Sequence, residues 1–462
     1  MHSTYRFLYI IGLLAWLGCS RESMIPEAEV GEELSGGQAT IFDVSPNAFG
    51  FQAPGVTNEQ GLLFFVGNSF FNQNWVSSPA STTARDGLGP YYNARSCAAC
   101  HFKDGRGRPP RFQGSLGEGL LLRLSVPGRG VNGEPLPEPN YGTQLQDQAL
   151  LGLTREGGYL IDHEEITGTY SDGTSYTLQK PIYRFTELTY GPMVGEVQIS
   201  PRVGPPITGL GLLEAVPEAT LLALADENDV DNDGISGRPN YVWDRIEGKR
   251  TMGRFGWKAN QSNLRHQTAE AFAGDVGIKT TYFPEDNCRG DACDPIFDGG
   301  SPEIDDDDLE KVVLYVSTLA VPARRDWEDI DVLSGKQLFE QVGCTGCHIP
   351  QLQTGKHPTF DALSNQTIRP YTDLLLHDMG EALADNREDY EATGREWRTP
   401  PLWGIGLVET VNGHTFFLHD GRARNLEEAI LWHGGEGEAS KEAFKALSTT
   451  QRAQIITFLE SL

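Results

Sequence analysis

The chain has 462 residues, of which 39% are hydrophobic and 10% aromatic, enough for a packed core and too many for a disordered polymer. Its formal net charge of −27 opposes nucleic-acid phosphates and anionic lipid headgroups, which argues against a nucleic-acid partner. Such an acidic surface suits plain solvation or the steering of a basic protein partner.

In chain order, Arg6 precedes an apolar run from Phe7 to Leu17 that is too short to span a bilayer and has the length of a signal-peptide core. Trp16-Leu17-Gly18-Cys19-Ser20 then looks like a lipobox, with Cys19 as the residue that receives a lipid. Trp16 departs from the usual Leu, so ordinary cleavage stays open. The expectation is a signal peptide over 1–19 and a mature chain in the periplasm. Because residue 20 is not Asp, the lipid anchor would sit in the outer membrane. Residues 20–45, with Glu22, Glu27, Glu29, Glu32 and Glu33 among small residues, read as a tether.

Phe64–Phe71 is apolar and leads, through a Gly/Pro/Ser-rich loop, to Cys97-Ala98-Ala99-Cys100-His101. Alternating stretches at Leu120–Val126 and Tyr176–Gln179, with a turn signal at Ser171–Thr174, predict β-hairpins between residues 118 and 200. Helical periodicity returns at Glu218–Ala225 and at Asp308–Leu319, the latter stopped by Val321-Pro322. Asp305–Asp308 reads as negative charge at a helix N-terminus. Asp229, Asp231 and Asp233, followed by Gly234, are spaced to wrap a hard cation such as Ca²⁺, although Asn240 stands where an EF-hand needs its bidentate Glu. Cys288 and Cys293 flank a polar loop and predict a small disulfide.

Ser334–Val342, with Ser334 as its cap, predicts a short amphipathic helix running into Cys344-Thr345-Gly346-Cys347-His348, and Leu426–Trp432 and Thr449–Leu462 predict two closing helices. The fold class expected is mainly α: two cytochrome c-like haem domains, 46–330 and 331–462, with β-hairpin insertions in the N-terminal half.

Two Cys-x-x-Cys-His pentapeptides have one economical chemistry. The thiols add across haem vinyl groups and the adjacent His is placed beneath the iron, so the spacing is imposed by the porphyrin. A redox dithiol needs a βαβ context that is not visible, and a four-cysteine zinc ribbon would bring the pairs close in sequence and leave both histidines unexplained. Two covalently bound haem c groups are therefore expected, on Cys97, Cys100, Cys344 and Cys347, with His101 and His348 as iron ligands.

The segments Asn93–Gly105, Gly209–Ala215, Gly253–Asn260, Leu376–Gly380, Arg398–Trp403 and Phe417–Gly421 resemble the di-haem oxidoreductase family, related to bacterial di-haem cytochrome c peroxidases. The resemblance implies peroxide reduction, with one open haem and one six-coordinate haem through which a redox partner protein supplies electrons. It also implies a homodimer as one arrangement. Met379 is the candidate sixth ligand of the second haem, with His377 as competitor, and packing as the alternative for each. Glu214 is the candidate general acid/base at the first haem, against a structural ion-paired role. Arg202, His266 and His163 are weaker candidates, and Trp257 and Trp403 are candidates to lie between the haems. A non-enzymatic electron carrier and a haem enzyme that oxygenates or modifies another substrate remain as alternatives.

Overall fold

The computed structural model describes residues 27–110 and 119–462. The expected signal segment 1–19 and Cys19 lie outside these residues. Two crossed helix pairs carry the two motifs. Helix Asn58–Asn72 begins with a reciprocal cap, in which the Thr57 hydroxyl accepts from the Gln60 N–H and the Gln60 side chain accepts from the Thr57 N–H. It crosses helix Asp306–Ser317 at Gly67, where a Cβ would sit 2.0 Å from the Lys311 carbonyl oxygen. Only glycine permits that approach. Asp305 caps the second helix by accepting from the Asp308 N–H at 2.8 Å, and Asp306, Asp307 and Asp308 supply the negative charge expected there.

The same device recurs downstream. Helix Ile330–Gln341 crosses helix Thr449–Ser461 at Gly335, whose Cβ would meet the Gln454 carbonyl oxygen at 1.9 Å. Its cap is Asp329, not Ser334; the Ser334 hydroxyl instead donates back to the Ile330 carbonyl at 2.7 Å from inside the helix. In both pairs a phenylalanine of the leading helix packs on the motif histidine. Phe71 lies 6.2 Å from His101 and Phe339 lies 6.1 Å from His348, between ring centres.

The expectation of a mainly α fold is overturned: helices account for 29% of the chain and strands for 19%, spread over many small sheets. The long hairpin of Gly158–Thr169 and Ser175–Thr186 pairs from Gly158↔Thr186 to Thr169↔Ser175 around the predicted turn. Leu120–Arg129 pairs with Gln198–Val203 and with Pro135–Leu136. Strands are not confined to the N-terminal half, since Leu352–Gln353 pairs with Thr367–Ile368 and Leu376–Asp378 with Glu396–Arg398. Strands of two or three residues are too short to carry a period-2 signal, so helical periodicity dominated the reading of that half.

The two haem-motif halves interlock. The core around the first helix pair takes in Leu352, Phe360, Leu374 and Trp403, and the core around the second takes in Leu120, Ile161, Val203 and Trp257. Part of the segment read as a tether is also built in. Glu32 is buried and ion-paired with Arg324, and Thr40–Ile41 pairs in parallel with Val321–Pro322. The Cys288–Cys293 disulfide is formed.

Candidate functional site

Each Cys-x-x-Cys-His motif folds as a single tight turn. The His101 N–H donates to the Cys97 carbonyl at 2.9 Å and the His348 N–H to the Cys344 carbonyl at 3.0 Å. Both thiols and the imidazole of each motif thereby line one cavity of about 370 Å³, which is mostly apolar and continuous between the two motifs. The imidazoles are fixed alike. His101 Nδ1–H donates to the Pro205 carbonyl at 2.7 Å, and His348 Nδ1–H to the Tyr371 carbonyl at 2.9 Å. A carbonyl acceptor at Nδ1 selects the tautomer whose Nε2 lone pair is free, which is the arrangement a metal-ligating histidine needs. Burial pushes both imidazoles below their usual pKa, His348 to about 4, so they are neutral donors.

The thiols are not those of an exchanging dithiol. All four are free, and burial pushes Cys97 and Cys344 up to about 12 and raises Cys100 and Cys347 as well. Exchange requires a thiolate, which these surroundings suppress. An apolar cavity with two sulfurs and an anchored imidazole at each end fits the donor set that an iron porphyrin linked through thioethers would need. Several buried polar atoms along the cavity wall lack a partner among the described residues, including Arg106 Nε, Trp403 Nε1 and His419 Nε2. Such atoms are expected where a polar-edged group completes the site.

The two ends differ. Near His101 the wall includes one face of helix Leu264–Ala271, presenting Gln267, Thr268 and Ala271, followed by Asp275. His266, on the same helix, turns away to Ser262 Oγ at 3.3 Å and stacks on Phe283 at 5.8 Å. This helix face therefore offers nothing stronger than an amide or hydroxyl toward the cavity. Asp275 and Glu436 are the only carboxylates lining it among the described residues. Burial raises the Asp275 carboxyl above its usual range, against the pull of Arg123, and Gln144 Nε2 donates to it at 3.0 Å.

Near His348 the wall includes His433, which the sequence reading did not single out. Its Nδ1–H donates to the Ala429 carbonyl at 2.7 Å, again leaving Nε2 free, and burial keeps the ring neutral. Asn425 caps helix Leu426–Leu431 by accepting from the Glu428 N–H at 2.8 Å, and His433 follows the helix end just before Gly434 and Gly435. The predicted helix stopped one residue short of it. The signal available was a histidine at a helix end followed by two glycines.

Other candidates fall into place around these. His377 lines the cavity with both nitrogens taken, Nε2 by Asp373 at 2.8 Å and Nδ1 by Glu436 at 2.6 Å. Burial opposes its charge, but bonds to Asp373, Cys347 and Glu436 raise its pKa well above the usual value. With both ring nitrogens engaged by carboxylates, neither is left free toward the cavity. Met379 lines the cavity beside Gly437. Glu214 does not line it. One carboxylate oxygen accepts from the Leu264 N–H at 2.8 Å and the other lies 3.4 Å from His357, so it secures a helix start instead of facing substrate.

Arg202 lines the cavity in a buried ion pair with Asp389 at 2.8 Å, and His163 is exposed on the long hairpin. Trp257 and Trp403 both line the cavity shared by the motifs. His419 connects its two ends. Its carbonyl accepts from Val203 beside the His101 anchor, and its ring stacks 3.7 Å from Trp397 in the strand paired with Leu376–Asp378. The acidic loop gathers Asp226, Asp229 and Asp231 with ligand atoms within 4.8 Å of one another. Asp233 is outside that group, and its carboxylate accepts from the Ile235 N–H at 2.8 Å.

No curated protein matches the chain at a significant level. The sequence profile of the family described as "di-haem oxidoreductase, putative peroxidase" matches residues 29–462, which takes in both motifs, both helix pairs and the whole cavity wall. With that match extending over nearly its whole length, the chain belongs to the di-haem oxidoreductase family.

Proposed function

We propose that the protein reduces peroxide at an open haem on Cys97, Cys100 and His101, using electrons that enter through a six-coordinate haem on Cys344, Cys347 and His348. The observation that carries this reading is the asymmetry of one shared cavity: an anchored second imidazole, His433, lines the His348 end, whereas the helix face near His101 presents only weakly ligating groups and Asp275. Bound haem supplies an iron for the oxygen and a store for electrons. His101 would hold that iron through Nε2, its ring orientation being set by the Pro205 carbonyl. Asp275, raised by burial, is the group that transfers a proton at the peroxide oxygen. The apolar wall keeps bulk water from competing. His433 is the second protein ligand at the other end, in place of Met379.

Both haems are covalent in this reading, because the four thiols face the cavity and are otherwise inert. The seat of the reaction is the periplasm, with a lipid anchor at Cys19 and a soluble redox protein as donor, the acidic surface favouring a basic one. The acidic loop takes Ca²⁺ on Asp226, Asp229 and Asp231. The test is spectroscopic titration of the purified protein with hydrogen peroxide after reduction by one electron equivalent. Turnover with an open first haem supports the proposal. Two low-spin haems inert to peroxide would indicate an electron carrier, and an open haem that reacts with O₂ but not peroxide would indicate an oxygenating enzyme.

A further inference from the structure

Among the described residues, six arginines are buried: Arg106, Arg202, Arg324, Arg387, Arg398 and Arg452. Four have a carboxylate partner, namely Asp389 for both Arg202 and Arg387, Glu32 for Arg324 and Asp172 for Arg452. Arg106 and Arg398 have none within ion-pair distance among the described residues, Asp420 and Asp373 acting on them only from farther off, and both line the cavity. A buried guanidinium without a direct carboxylate partner is costly, and an anion that arrives separately would offset that cost.

Their protein contacts leave room for that. Arg106 donates one Nη to the Leu418 carbonyl at 2.5 Å, while its Nε has no partner. Arg398 donates Nε to the Gly256 carbonyl at 2.8 Å and Nη1 to the Thr399 carbonyl at 3.2 Å. Neutral carbonyls orient a guanidinium without neutralising it. Burial lowers both to about 10, so both stay charged at neutral pH.

Both arginines border Trp257. The Arg106 guanidinium lies 5.5 Å from the centre of the Trp257 ring, while the backbone N–H of Arg398 donates to the Trp257 carbonyl at 2.9 Å and its side chain bonds the neighbouring Gly256 carbonyl. Trp257 is held in turn by its indole N–H, which donates to the Val203 carbonyl at 2.7 Å. Arg106 follows the first motif closely in sequence, and Arg398 faces Asp373 beside the second.

We propose that Arg106 and Arg398 are the counter-ions of haem propionates, Arg106 for the first haem and Arg398 for the second. The inference rests on the two-haem reading alone and not on peroxide chemistry. Planar guanidiniums match carboxylates in geometry as well as charge. Each is a positioning residue that also sets the charge felt by one iron.

The test is spectroelectrochemical titration of the mature di-haem protein carrying Arg106→Gln or Arg398→Gln, with Arg106→Lys and Arg398→Lys as charge-retaining variants. Loss of one buried cation stabilises the oxidised haem. Each Gln variant should therefore lower one of the two potentials by at least a tenfold change in the oxidised-to-reduced ratio, about 59 mV for one electron. A different wave should move in each variant, and the Lys variants should recover most of the shift. Unchanged potentials, or both waves shifting together in both variants, would overturn the proposal. Where a Gln variant does not accumulate, a Lys variant that also fails to hold its potential overturns it. Haem staining under denaturing conditions separates these outcomes from failure of the two-haem reading, which would show no covalent haem at all.

Discussion

His433 donates its Nδ1–H to the carbonyl of Ala429 at 2.7 Å, the same anchoring that fixes His101 and His348. A histidine held this way, neutral and lining the cavity, is prepared to ligate. His433→Ala should therefore convert the second haem from low spin to high spin, read by electron paramagnetic resonance. Met379→Leu should leave the low-spin signal in place.

Asp275 brings the only carboxylate to the first end of the cavity among the described residues. Asp275→Asn should slow peroxide reduction by roughly 10²- to 10⁴-fold, the usual effect of a lost general acid, with haem content unchanged. Stopped-flow mixing with peroxide measures it. Glu214→Gln should leave that rate intact and lower thermal stability by about 1 kcal/mol, because its carboxylate serves a helix N-terminus.

Asp104 follows the first motif and is buried, with the Tyr315 hydroxyl donating to it at 2.5 Å. Burial pushes its carboxyl up to about 7 from 3.8, against that hydrogen bond. The folded state thus retains a proton that the unfolded chain releases. The stability this group contributes is full below pH 3.8 and is lost as pH rises through about 7. Asp104→Asn should gain stability over the native protein as pH is raised across that window, by an amount on the order of a few kcal/mol at pH 8, seen as a higher melting temperature. Parallel melting curves at pH 4, 6 and 8 check the sign.

Calcium should raise the melting temperature of the protein, and chelation should reverse the effect. Asp229→Ala should abolish the response, whereas Asp233→Ala should keep most of it, because the Asp233 carboxylate lies outside the clustered oxygens. Differential scanning fluorimetry with and without Ca²⁺ distinguishes the two variants.

The parts of this molecule that were legible in the sequence are those written in local chemistry. The two motifs, the disulfide, the hairpin turn at Ser171–Thr174 and the helices ending at Ser317 and Ser461 follow from spacing, caps and periodicity. What was not legible depends on distant pairing. Asp329 replaces Ser334 as a cap because the helix starts one turn earlier than its apolar stripe suggested. Glu214, on a segment that resembles a catalytic one, is drawn to Leu264 and His357 by packing that no local pattern announces. His377 and His433 differ in their partners: two carboxylates engage both nitrogens of the first, and one backbone carbonyl leaves Nε2 of the second free.

The most direct test of the unequal-haem account is the electron paramagnetic resonance spectrum of the fully oxidised protein, before and after peroxide. The account predicts one low-spin signal from the His348/His433 haem and one high-spin signal from the His101 haem, with only the high-spin signal changing at once on mixing. Two low-spin signals that persist unchanged through peroxide addition would contradict it.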